Sequence, residues 1–179
     1  MKNHSHILKM VLAAFFLALA YVMPYLTGQI PEVGSMLCPM HIPVILCGFI
    51  CGPAWGLTVG ATAPILRSLL TGGFPPMFPT AVAMAFELAA YGVVCGVLHK
   101  LLPKRKTSVY VSLISSMIIG RLVWGLITFT CMSASGSVFT FSAFMAGAVV
   151  NAVPGIIVQI VIIPVIVILL GKTKTVREL

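Results

Sequence analysis

Long apolar stretches, separated by short polar or Gly/Pro-rich connections, run through the whole chain. They predict six membrane-spanning helices, at Met10–Leu26, Met40–Cys51, Ala54–Thr71, Thr80–Leu102, Ser108–Met132 and Phe141–Leu170. The second stretch would rise only about 18 Å as a helix, so it must tilt or extend from a structured loop, predicted at Gln29–Pro39. Pro154 and Pro164 predict kinks in the sixth helix. The predicted fold class is an all-α membrane protein, a six-helix bundle forming one domain over residues 1–179.

Composition indicates the solvent of this domain. Hydrophobic residues make up 60% of the 179 residues and charged residues only 8%, with a mean hydropathy of +1.13. Soluble domains contain about a quarter charged residues, so this chain is predicted to lie in a lipid bilayer. The net charge of +8 could suggest nucleic acid, but the basic residues cluster at helix ends rather than on one soluble face. We therefore predict no nucleic-acid partner.

The same basic residues predict the orientation of the bundle. In a six-span arrangement one side collects Lys2, Lys9, Lys100, Lys104, Arg105, Lys106, Lys172, Lys174 and Arg177. The loops of the other side contain Glu32 and no Lys or Arg. By the positive-inside rule both termini are cytoplasmic. The expected location is the cell membrane, as a multi-pass protein of the prokaryotic type.

Three charged residues are placed inside the membrane by this orientation. Arg67 and Arg121 lie about 20 Å from the cytoplasmic side and Glu87 about 10 Å below the outer surface, nearly one level of a core about 30 Å thick. A charge at this depth normally faces a partner or a polar cavity. Glu87 could pair with one arginine simply to fasten the bundle. The second arginine would still need a counter-charge, which predicts a pocket for an anion.

Further residues complete the predicted pocket. Trp124 shares a helix face with the second arginine, and Tyr91 shares one with the glutamate. Asn151 lies slightly deeper, in the sixth helix. His41 begins the second helix, and Phe78 lies in an outer turn that could act as a lid. A lone histidine at a loop–helix junction is often only a capping or packing residue. The outer turn is explained equally well as a packed turn without a role in binding.

The reactive residue types do not indicate an enzyme. The five cysteines are odd in number and lie in or beside apolar stretches, so neither a disulfide nor a metal site is predicted. Ser133-Ala-Ser-Gly faintly resembles a rhomboid protease serine motif, but no histidine follows it as a base and HExxH is absent. A GxxxxGK[ST] nucleotide loop is also absent. We predict that the chain is not an enzyme, has no cofactor and does not itself hydrolyse ATP.

Ala14 and Ala18 on the first helix form a small-xxx-small pattern, which allows close approach of a helix from this chain or from a partner. With this pair, its size, its predicted spans and the short second helix in CPMHIPVILCGFICGPAWG, the whole chain resembles the substrate-binding S component of an energy-coupling factor (ECF) vitamin transporter. The resemblance implies that the alanines contact the transmembrane coupling subunit and that two cytoplasmic ATPases power uptake. It also implies that outer loops and helices four to six enclose the vitamin.

The predicted function is the capture of a small, anionic vitamin or precursor from outside the cell. Arg67 and Arg121 would bind its carboxylate, and Glu87 would orient Arg67 or accept a hydrogen from the ligand. Pantothenate fits these groups best, while niacin, biotin or another small acid remains open. The alternative is a stand-alone secondary transporter of a small organic anion, although the two halves show no internal repeat.

Overall fold

All regular elements of the described structure are helical. The computed structural model describes residues 2–27, 36–103, 105–136, 140–171 and 173, and no strand occurs among them. In chain order the helices are α1 (Lys2–Val22), α2 (His41–Cys51), α3 (Pro53–Leu70), α4 (Val82–Leu101), α5 (Lys106–Ala134), α6 (Phe141–Met145) and α7 (Val153–Leu170). A 3-10 turn (Met23–Thr27) extends α1, and π-helical turns precede α4 (Met77–Ala81) and follow α6 (Ala146–Val150). The predicted all-α class is confirmed.

Some sequence predictions fall outside the described residues. They concern most of the predicted outer loop, at residues 28–35, together with Lys104, Lys172 and the cationic end of the chain after residue 173. Glu32 and Glu178 belong to these segments, which leaves Glu87 as the one acidic residue in the part of the chain that the structure describes.

Four helical segments are long and apolar enough to cross a membrane: Ser5–Tyr25, Met77–Leu101, Lys106–Ala134 and Val153–Leu170. α2 is apolar but only 11 residues long, as its sequence predicts. α3 has 18 residues, but it contains Arg67 and Pro64 and is not among the four. The protein is therefore membrane-integral by length and composition, and the count of six spans remains a prediction.

α4 lies at the centre of the bundle, packed against α2, α3 and α5. Its contacts with α2 and α3 are made backbone to backbone through glycine. A Cβ added at Gly92 would lie 2.3 Å from the Gly56 oxygen, and one at Gly48 would lie 2.5 Å from the Gly92 oxygen. A Cβ at Gly60 would lie 2.4 Å from the Leu88 oxygen. Such distances leave no room for a side chain, so these small residues determine how closely the three helices pack.

The first helix differs from its predicted bounds at both ends. α1 begins at Lys2 instead of Met10, and its α-helical part ends at Val22 instead of Leu26. Pro24 has no amide hydrogen with which to continue the α-helical ladder, and the chain continues as a 3-10 turn. One face of α1 packs into the bundle through Ala13, Phe16 and Ala20.

The sixth predicted helix is interrupted rather than kinked. α6 and the π-helical turn after it end in a break at residues 151–152, and α7 begins at Val153. Pro154 lacks a backbone donor, and the Asn151 amide donates across five residues to the Ala146 carbonyl, at 2.9 Å. The prediction of one continuous helix over Phe141–Leu170 is therefore wrong at this point, whereas Pro164 lies inside α7.

Candidate functional site

A buried carboxylate lies in the bundle at the meeting point of three helices. Glu87 of α4 is 1% exposed, and its Oε1 lies 2.9 Å from Nη1 of Arg121 on α5. The same oxygen accepts a 3.0 Å hydrogen bond from the Tyr91 hydroxyl. His41, the first residue of α2, places its Nε2 3.5 Å from that oxygen. Glu87, Arg121, Tyr91 and His41 are called the polar cluster below.

The local sequence explains how the polar cluster assembles. Glu87 and Tyr91 are four residues apart on α4 and therefore project from one face. Gly120 of α5 makes room for the tyrosine, because a Cβ at this position would lie 2.5 Å from Cε1 of the Tyr91 ring. The His41 ring packs against the same tyrosine, with ring centroids 5.2 Å apart. All four cluster residues were candidates from the sequence, and the structure brings them together.

Segment 36–40 covers the cluster on the side of α7. Nη2 of Arg121 donates to the Cys38 Sγ at 3.6 Å, and Cys38 has a left-handed backbone conformation with φ of 47°. The carbonyl oxygens of Met36 and Leu37 approach Gly155 of α7, at 2.6 Å and 2.7 Å from the position that its Cβ would occupy. Sequence reasoning missed Cys38 because it assigned every cysteine to apolar packing. The available signal was its position three residues before His41.

Arg67 lies apart from the polar cluster, in the last turn of α3. It is only 3% exposed, and its guanidinium carbon lies 5.8 Å from the Tyr25 ring centroid and 5.9 Å from that of Phe74. Its Nη1 has no hydrogen-bond partner within the described residues. Gly60 of α3 packs beside Leu88 of α4, and the two helices are antiparallel. Arg67 is about two turns beyond Gly60, so the Arg67 Cα lies roughly 10 Å from Glu87 along the helix axes.

This placement corrects two predictions. Glu87 and Arg121 share one level, as predicted, but Arg67 does not. The carboxylate also pairs with Arg121, so the expectation that Glu87 orients Arg67 is wrong. The physical reason is the close glycine contact between α3 and α4, which determines how far the two helices are shifted along each other. Counting residues from the helix ends does not reveal this shift.

Trp124, Phe78 and Asn151 are the remaining candidates from the sequence. Trp124 stacks on Phe144 of α6, with ring centroids 6.2 Å apart and an interplanar angle of 27°. Phe78 is 52% exposed in the π-helical turn before α4. Asn151 is exposed in the break before α7. Within the described contacts, the structure does not bring Phe78 or Asn151 to the polar cluster.

A cleft of about 320 Å³ lies between α5 and α7. It is lined by Ile114, Met117, Ile118, Arg121, Leu122, Phe144, Ile156 and Ile160. Arg121 is the one charged residue of this lining, so the cleft joins an apolar surface to one edge of the polar cluster. None of the aliphatic residues of this cleft stands out in the sequence, because isoleucine and leucine are common on any membrane helix.

Metal binding has no basis in the part of the chain that is described. No group of three or more His, Cys, Asp or Glu side chains is close enough together there to hold an ion, and none of the five cysteines forms a disulfide there. The side chains of the polar cluster offer ionic and hydrogen-bonded recognition, with aromatic and aliphatic side chains beside them.

The chain resembles a family of known proteins along most of its length. A family model described as ECF transporter, substrate-specific component, matches residues 8–167, which is most of the chain. No curated protein and no solved structure matches the chain.

Proposed function

The chain belongs to the family of ECF transporter substrate-specific components, and we propose that it captures a small anionic vitamin or vitamin precursor outside the cell. Pantothenate is the first candidate, because it combines one carboxylate with hydroxyl and amide groups. Proteins of this family are substrate-binding subunits for transport rather than enzymes. Niacin, biotin and other small acids are alternative substrates.

The observation that supports an anionic substrate is the balance of buried charge. Two arginines, Arg67 and Arg121, lie inside an apolar bundle, and one described acid, Glu87, faces only one of them. A buried charge without a partner is costly, so such a residue commonly faces a substrate or a counter-ion. A ligand carboxylate would supply the missing negative charge and form charge-assisted hydrogen bonds.

The proposal includes six membrane spans, with both termini in the cytoplasm of a prokaryotic cell. α2 and α3 would then be the two spans that add to the four longer helices. In a cysteine-free background, cysteines introduced at Pro76 and Ser135 should react with an impermeant maleimide from outside. A cysteine at Thr107 should react only after permeabilisation, and labelling of Thr107 in intact cells would contradict the topology.

The proposal also includes partners, namely the membrane coupling subunit and two ATPases that family membership implies. Ala14 and Ala18 of α1 are exposed, whereas Ala13 and Ala20 are buried in the bundle. The exposed pair thus leaves a surface on which a partner helix could lie closely.

Uptake into proteoliposomes tests this function against a stand-alone secondary transporter. The purified chain alone should bind radiolabelled pantothenate, nicotinate or biotin without accumulating it. Accumulation should require the coupling subunit, both ATPases and ATP. Accumulation by the chain alone, driven by an ion gradient, would contradict the proposal and favour the secondary transporter.

A further inference from the structure

We propose that Arg67 alone receives the negative charge of the substrate, whereas the polar cluster around Glu87 recognises its uncharged polar groups. This inference rests on the proposed function and narrows it to one substrate class. The class is an elongated acid, with hydroxyl or amide groups at the end remote from its carboxylate.

The two arginines differ in whether an acid lies beside them. Arg121 already has a carboxylate at 2.9 Å, so the charges of Glu87 and Arg121 cancel within the polar cluster. A second carboxylate placed there would lie close to Glu87, and like charges in a buried site repel each other. Arg67 has no acid beside it within the described residues, so it is the place where an added negative charge is most favoured.

The surroundings of Arg67 are aromatic and uncharged within the described residues. Two aromatic rings, those of Tyr25 and Phe74, lie within 5.9 Å of its guanidinium carbon, but they attract the cation without neutralising it. The Thr71 hydroxyl lies within hydrogen-bonding distance of the Arg67 and Phe74 carbonyls, which ties the turn bearing Phe74 to this end of α3. The buried Ser68 hydroxyl next in sequence also lacks a described partner. A carboxylate beside Arg67 could accept hydrogen bonds from its guanidinium.

Arg67 and the polar cluster lie at different levels of the bundle. Arg67 and Glu87 are separated by roughly 10 Å along the helix axes. The Arg67 guanidinium lies beside the Tyr25 and Phe74 rings and makes no described contact with the polar cluster, so an acid that reaches both must be extended. An extended acid could place its carboxylate at Arg67 and its hydroxyl or amide hydrogens near the polar cluster, where Glu87 is the natural acceptor.

Glu32 is the competing source of negative charge for Arg67, because it lies in the segment 28–35 that follows Tyr25. If Glu32 neutralised Arg67, Glu32→Gln would free the arginine and tighten the binding of acids. The inference instead predicts that Glu32→Gln leaves their affinity unchanged within about twofold.

Titration calorimetry on the purified, detergent-solubilised chain tests the inference with acids and their neutral counterparts. The pairs are pantothenate with pantothenol, biotin with biotinamide, and nicotinate with nicotinamide. Arg67→Gln should weaken the best-binding acid by about ten- to a hundredfold, by the loss of one or two charge-assisted hydrogen bonds, and leave its neutral counterpart nearly unchanged. Arg67→Lys should retain most of the preference for the acid. Arg121→Gln should weaken both members of a pair alike.

Arg105→Gln is the matched control, because Arg105 is an exposed arginine outside the site, and it should change nothing. Loss of the acid preference in Arg121→Gln with its retention in Arg67→Gln would overturn the inference. Tighter binding of acids by Glu32→Gln, or nicotinate binding tighter than both longer acids, would overturn it as well. If none of the acids bound the wild-type chain, the proposed function would fail, and the inference with it.

Discussion

Glu87 is contacted by one side chain from each of α2 and α5 and by another from its own helix. In a bundle with so few polar groups, the partners of this carboxylate determine whether its charge can be buried at all. Arg67, which is buried, and Arg121, which is partly buried, therefore differ in what they contribute to stability. Arg121 compensates a charge, whereas Arg67 is itself uncompensated within the described residues.

Substituting the two arginines should separate these roles. Arg121→Gln leaves Glu87 as an unpaired buried charge and should lower the free energy of unfolding by about 3–5 kcal/mol. Arg67→Gln, the matched change at the other buried arginine, should leave it equal or higher. The double variant Glu87→Gln/Arg121→Gln should be less destabilised than Arg121→Gln, because both charges are gone. Denaturation in detergent micelles measures all three, and equal losses for both arginines would contradict the assignment.

The sequence identifies the members of the polar cluster but not their pairing. An acid, two arginines, a tyrosine and a histidine stand out in apolar stretches by residue type alone. Which arginine reaches Glu87 depends on helix register, and the register depends on backbone contacts that residue counting from the helix ends does not capture. Cys38 escaped notice for a related reason, since its role comes from the conformation of segment 36–40.

Among the elements, α4 contacts α2 and α3 backbone to backbone at glycine. Gly92→Ala would improve the intrinsic helix propensity of α4 by about 1 kcal/mol. The new methyl group would nevertheless meet the Gly56 backbone, at 2.3 Å, so we expect a net loss of about 1–3 kcal/mol in the free energy of unfolding.

Gly147→Ala is the control for this substitution, because its new methyl group meets only the far end of the Trp124 side chain, at 2.8 Å. A side-chain end can shift, whereas two packed helix backbones cannot shift without separating. Thermal unfolding in detergent compares the two variants. A Gly92→Ala variant as stable as the wild type would show that the helices are less closely packed than described here.

The outer face of α1 allows a second test at the scale of an element. Ala14→Leu and Ala18→Leu should abolish uptake in cells that contain the coupling subunits, because the added bulk holds a partner helix away. Ligand binding by the isolated chain should persist, since both residues are exposed. Ala134→Leu, at an exposed alanine of α5, is the control and should transport normally. Loss of binding with assembly intact would instead assign the alanine pair to internal packing.

Helix positions were more predictable than helix continuity. The apolar stretches predicted α3, α4 and α5 to within two residues at each end, because hydrophobic length is the strongest signal in a membrane chain. A kink was predicted at Pro154, but a break in the helix before α7 was not, since hydropathy is continuous across it. Gly48, Gly56, Gly60 and Gly92 each have another glycine four residues away, which is a signal of close helix packing. This spacing does not indicate which helices contact each other.

For the whole molecule, composition, the family match and the helical bundle all indicate a membrane-embedded binding subunit. The described site adds the sign of the charge that such a subunit should prefer. Two cations, Arg67 buried and Arg121 partly buried, against one described acid predict an anionic substrate, whatever its detailed structure, and this is the central claim.

Mass spectrometry of the small molecules released from the purified wild-type chain tests that claim most directly. The released compound should be a small organic acid with further hydroxyl or amide groups. It should be depleted from Arg67→Gln and present at wild-type level in Arg105→Gln prepared in the same way. A neutral or cationic compound bound in stoichiometric amount, and retained by Arg67→Gln, would contradict the account.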